Sequence, residues 1–170
     1  MMDPGISSGE ASPSAANLLF IVTLIVSILG IFLGLFYFFI DPATGLRVAV
    51  ILMVGLVGVI SFLRHTVFFR SDQARTGWSQ DHPQFQMEVG WANLAIGALA
   101  LVSGIFQWGM TAYAISFLTY GIYLFGALVT QVRDSIIRPS AEKRKGGVIL
   151  NTGFFVFFLL LFGALALANA

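Results

Sequence analysis

From Asn17 to Ile40 the chain runs 24 residues without a charged side chain. At 1.5 Å rise per residue, a helix of that length exceeds the roughly 30 Å hydrocarbon core of a bilayer. In a water-soluble domain such a run needs a hydrophilic shell around it, and this chain has none to give. It is 58% hydrophobic and only 10% charged, with a mean hydropathy of +0.90, where soluble domains carry about one quarter charged residues. The run therefore commits the chain to a membrane.

Four further apolar stretches follow, at 46–63, 89–106, 110–131 and 147–167. The expected fold is an all-α integral membrane protein, a bundle of five transmembrane helices over 17–168. A variant in which the third and fourth segments, 89–131, form one re-entrant pair stays open. Residues 1–16 read as a disordered tail. They lack the basic n-region of a secretory signal, and the run after them is too long for a signal h-region, so it reads as a retained helix. Asp41, Pro42 and Gly45 make a turn that the first helix cannot continue through. A polar segment, 64–88, and a basic loop, 133–146, separate the remaining spans, and Val67, Phe68, Phe69 and Trp78 suggest a short interfacial helix in the first of these.

Small residues mark faces that meet other helices. Thr23, Ser27, Gly30 and Gly34 form one strip, and Gly55 and Gly58 another, since small side chains let backbones approach closely in lipid. Packing within the chain is the expected use of the first strip, over a dedicated homodimer seam. In the third span Asn93, Gly97, Ala100, Gly104 and Gln107 recur at helical spacing, as do Tyr113, Ser116, Tyr120, Tyr123, Ala127 and Gln131 in the fourth. These two faces are expected to mate, tyrosines over glycines, with hydroxyls finding amides because an unpaired hydroxyl is costly in hydrocarbon.

With five spans, the tail and both polar loops share one side. That side holds Arg64, Arg70, Arg75, Arg133, Arg138, Lys143, Arg144 and Lys145, against Arg47 alone on the other. Eight of nine basic residues thus favour a cytoplasmic N-terminus and an external C-terminus.

Candidate chemistry gathers around the 64–88 segment. Arg64 and His65 close the second span, Glu88 stands at the mouth of the third with Asn93 about one turn inside, and Tyr120 lies near the midplane. These five are the candidates for a ligand site or polar mouth, with Glu88 and Arg64 the sharpest pair. Lys143, Arg144 and Lys145 are candidates for lipid headgroups, each charge contributing about 1 kcal/mol near an anionic surface. No metal site is expected: His65, Asp72, His82 and Glu88 match no ligand spacing, and the chain has no cysteine. No cofactor is expected either. Neither histidine falls inside a predicted span, where a buried haem would find its axial ligand, and no phosphate loop or catalytic triad motif occurs.

The run from Arg64 to Gly97, in particular RH, TGW and FQMEVGWANLAIG, resembles a family of small bacterial and archaeal multi-pass proteins carried as a domain of unknown function. More distantly, four spans with a polar segment after the first resemble the DoxX-like membrane proteins, some of them linked to quinol oxidation, although the extra first span departs from that pattern. The resemblance implies a prokaryotic cytoplasmic (inner) membrane and supplies no catalytic residue. The leading expectation is an accessory or scaffold protein that binds lipid, partner helices or a second copy of itself, with no nucleic-acid partner. The alternative is a small oligomeric transporter or redox-linked, quinone-binding component with its site near Glu88, Arg64 and Asn93.

Overall fold

A computed structural model describes residues 12–76, 83–137 and 142–170, with side chains from 146 onward in the last stretch. Among the described residues there are six helices and no strand. They are α1 (Ser14–Phe38), α2 (Pro42–Val67), α3 (Phe69–Thr76), α4 (Gln84–Ile105), α5 (Met110–Ile137) and α6 (Glu142–Ala168). All but α3 are long and apolar enough to cross a membrane, α4 and α5 included. This is an all-α multi-pass membrane protein.

The turn into α2 is set by Asp41. Its carboxylate accepts the Thr44 N–H at 2.9 Å, and Pro42 occupies the first helical position, where its missing N–H costs nothing. At the turn between α4 and α5, Gln107 and Gly109 have φ of 55° and 92°. Here glycine is the residue that adopts the left-handed region without a steric penalty. Arg47 donates from Nε to the Gly104 carbonyl at 2.9 Å, satisfying a backbone acceptor near the C-terminus of α4. The one basic residue on that side is thus used within the fold.

α2 is the central helix. Its Leu46, Val50, Met53 and Val54 are fully buried, together with Phe117 and Tyr120 of α5 and Leu159 and Phe162 of α6. Two stretches of α2, Val50–Leu56 and Leu63–Val67, are π-helical, a wider winding found mostly as short bulges and often near functional sites. Around this core, Phe32, Phe36, Leu99, Ile122 and Phe157 are each more than half exposed, the apolar surface that lipid covers. The buried positions of α5 end at Gly121 and those of α6 begin at Phe155. Toward the basic end these two helices therefore lie outside the core.

The small residues find their neighbours inside the chain. A Cβ placed on Gly30 lies 2.6 Å from Met53 Cγ, and one on Gly34 lies 2.7 Å from Ala49 Cβ, so the strip of α1 is seated on α2. The glycines of the α4 strip are also seated on α2, which corrects the expected packing of the tyrosines over them, while the expected meeting of hydroxyl and amide does occur at Asn93. A Cβ on Gly97 lies 3.0 Å from Gly58 Cα, and Gly104 abuts Ile51. The correction has a simple cause. Glycine against glycine admits two backbones at contact distance, closer than a glycine facing a tyrosine ring allows.

Candidate functional site at the basic end

The second helix continues one turn beyond Leu63, the predicted end of its span. The π-helical turn is closed by Phe68 N–H donating to Leu63 O at 2.9 Å, and it carries Arg64 and His65 out of the apolar face. At Phe68 the backbone leaves helical geometry, with φ −104° and ψ 30°, and α3 folds back against the bundle. Ser71 fixes it there. The Ser71 hydroxyl donates to Ser12 O at 2.7 Å and accepts the Ala16 N–H at 3.1 Å, satisfying one of the free amides at the start of α1.

The next residue, Asp72, is the centre of the site. Its side chain is 1% exposed, and groups from three helices converge on its carboxylate. Arg75 approaches with Nε at 3.1 Å and Nη2 at 3.0 Å, Arg64 Nε lies at 3.6 Å, and His65 Nδ1 lies at 2.9 Å. From α4, Gln86 donates its amide N–H to Oδ2 at 3.1 Å. Arg75 also lays its guanidinium over the Phe20 ring of α1, 4.9 Å from the centroid. Burial alone would raise the Asp72 carboxyl. The contact from His65 and the positive charges of Arg64 and Arg75 outweigh it, holding the group below the ordinary carboxylate value.

The histidine tautomer follows from its neighbours. Arg64 Nη2 stands 3.1 Å from His65 Nε2, and a guanidinium can only donate, so Nε2 accepts and the ring proton of the neutral form sits on Nδ1, facing Asp72. That approach is oblique. His65 Nδ1, Arg64 Nε, Thr66 Oγ1 and Gln86 Oε1 are all buried without a well-aligned hydrogen-bond partner. The cluster is held by charge more than by saturated hydrogen bonding.

Asn93 and Tyr120 meet below this cluster. Tyr120, 1% exposed, donates its hydroxyl to Asn93 Oδ1 at 3.0 Å, while Asn93 Nδ2 donates to Val89 O at 2.7 Å and to Tyr123 Oη at 3.2 Å. The two tyrosine rings stack 6.2 Å apart, and Phe155 closes on Tyr120 edge-on. The amide makes two bonds from α4 to α5 and one back to its own helix. Asn93→Leu removes the acceptor of the Tyr120 hydroxyl and leaves Ser61 as its remaining side-chain partner, and it is expected to cost about 1–2 kcal/mol in reversible unfolding from mixed micelles. Tyr123→Phe, at a half-buried ring, should cost less than about 0.5 kcal/mol.

The predicted pair of Glu88 and Arg64 does not form. Glu88 is exposed and makes no ion pair or hydrogen bond among the described residues, and Arg64 turns to Asp72 instead. The reason is helical phase. Glu88 lies two positions from both Gln86 and Gly90, about 200° around the helix from each of these buried residues. His82 and Trp78 lie outside the described residues, as do the side chains of Lys143, Arg144 and Lys145 in the first turns of α6.

A family model described as a family of unknown function, DUF6790, matches residues 18–170. The chain belongs to that family. No curated protein and no solved structure matches it. The DUF6790 match takes in nearly all of α1, every later helix and the residues of the Asp72 cluster. Sequence reasoning on this DUF6790 member missed Asp72, Arg75 and Gln86. A signal was present, because Asp72 is the lone acid between Arg64 and Thr76, among three arginines and a histidine. A single carboxylate in such company is the group on which the cations converge.

Proposed function

We propose that this DUF6790 member is a non-catalytic accessory scaffold of a cytoplasmic membrane. In this reading its basic end faces the cytoplasm and holds anionic lipid headgroups. The observation that carries it is how the polar side chains are spent. Inside the bundle Asn93 joins α4 to α5 through Tyr120 and Tyr123, and Thr23, Ser27, Ser103 and Ser116 bond the backbone of their own helices, whereas Arg70 and Arg133 are exposed on the side that collects eight of the nine basic residues. Each such charge near an anionic surface contributes about 1 kcal/mol. The reading as a transporter or quinone-binding component with a mouth at Glu88, Arg64 and Asn93 draws less support, because Glu88 is exposed away from the cluster and Tyr120 is 1% exposed with Tyr123 and Phe155 against its ring.

Native mass spectrometry of the gently extracted protein tests this. Acidic phospholipid should be retained over zwitterionic lipid, and the excess should fall several-fold in a double variant, Arg70→Gln with Arg133→Gln. A reproducible quinone or polar small molecule that is lost on Asn93→Ala would overturn the scaffold reading.

A further inference from the structure

The Asp72 cluster is built so that one added proton reverses its electrostatics. In the neutral state His65 is a bridge, its Nε2 lone pair taking the Arg64 N–H at 3.1 Å and its Nδ1–H facing Asp72 at 2.9 Å. The groups that face it are Arg64 from α2 and Asp72 and Arg75 from α3. Among the described residues α4 brings Gln86 and Gly90, which carry no charge, and α5 brings the Tyr120 phenol near Arg64. One carboxylate thus already answers two guanidiniums. A proton on Nε2 removes the acceptor for Arg64 and sets an N–H against an N–H.

Two opposed terms decide the outcome. The imidazolium gains attraction to Asp72 at 2.9 Å and meets repulsion from Arg64 at 3.1 Å. Coulomb energies at such similar separations nearly cancel. What is left is all unfavourable: repulsion from Arg75, the lost hydrogen bond, and the cost of holding a second uncompensated charge at a ring that is 16% exposed. The junction is also incompletely satisfied, since Arg64 Nε, Thr66 Oγ1 and Gln86 Oε1 have no aligned hydrogen-bond partner. A partly satisfied polar cluster is the weak point of a packed junction.

We propose that the cluster is a protonation-operated latch: protonation of His65 expels the ring from between Arg64 and Asp72 and frees α3, with the Ser71 cap it provides to α1, from the bundle. The latch is a regulatory device beyond the lipid reading and does not depend on it. Acidification on the side of the basic end is the stimulus, and release of α3 with Arg64 and Arg75 is the response.

Hydrogen exchange on the full chain in zwitterionic nanodiscs, corrected for intrinsic rates, tests this between pH 8 and pH 5. The opening constant of the α3 amides should rise as pH falls, by up to about tenfold per pH unit for a single coupled proton. His65→Asn keeps an N–H donor toward Asp72 but takes up no proton, and its α3 amides should show no such rise. His65→Arg should be open throughout. Flat exchange in the unmodified protein, or the same pH dependence in His65→Asn, overturns the latch. Nitrogen NMR of the histidine, assigned with a His82→Gln variant, supplies a check that needs no change at His65. The neutral ring should carry its proton on Nδ1, and a proton on Nε2 rejects the proposal.

Discussion

Asp72→Asn should destabilise the protein by about 3 kcal/mol, because breaking one side of a buried ion pair leaves its partners charged and uncompensated. The substitution keeps the shape of the side chain and removes only its charge, so Arg64 and Arg75 are left facing each other. The figure sits at the low end of the usual range for buried pairs, since those two side chains are 13% and 17% exposed and keep some contact with solvent. Reversible unfolding in mixed micelles reads the cost directly. Site-resolved exchange should place it at Ala16 and α3, while the Asn93–Tyr120 bond stays protected. An unchanged unfolding midpoint would mean that the cluster is incidental to the fold.

The same carboxylate gives a pH dependence of definite sign. Its pKa in the folded protein is lowered from the ordinary 3.8, so its contribution is complete above that value. It is lost as pH falls from about 3.8 through the lower folded value. This limb lies well below the range in which an imidazole titrates, and the two groups can therefore be told apart in one titration.

Gly58→Leu and Gly97→Leu should each cost at least about 3 kcal/mol, the upper part of the range for overpacking. A Cβ on Gly58 would lie 2.7 Å from the Asn93 carbonyl oxygen and 2.8 Å from Gly97 Cα. These obstacles are backbone atoms of another helix, and no rotamer change moves them aside. Relief requires α2 and α4 to separate along their whole contact. Gly126→Ala is the matched control, because a Cβ there meets nothing within 4 Å and alanine favours the helix by up to about 1 kcal/mol. Equal losses at Gly58 and Gly126 would show that the cost comes from changing a glycine rather than from the α2–α4 contact.

The helices were legible because uncharged length is a local property: Asn17 to Ile40 and the four later runs announce themselves one residue at a time. Which faces pack was legible too, since Gly30 with Gly34 and Gly97 with Gly104 mark strips by spacing alone. The partner of each strip was not. Spacing gives a direction around one helix and says nothing about which neighbour stands there, so the glycines of the α4 strip were assigned to the tyrosines of α5 when α2 covers them, and only Asn93 reaches those tyrosines. At the site, Arg64 and His65 were among the candidates and do belong to the cluster, but Asp72 appeared as one charge in a polar segment. Its burial depends on α1, α2 and α4 arriving at the same point. The phase argument was nonetheless available: stepping back from Asn93 by three and then four reaches Gly90 and Gln86, both buried, and passes over Glu88.

The bond from Ala16 N–H to Ser71 Oγ joins residues 55 apart in the chain, and that separation has a meaning during synthesis. A ribosome adding about 5–20 residues per second takes roughly 3–11 s to travel it. For that interval the leading end of the first span has emerged without the serine that later closes it. The start of the first span is therefore finished from behind, once the second helix and the short helix after it have been made.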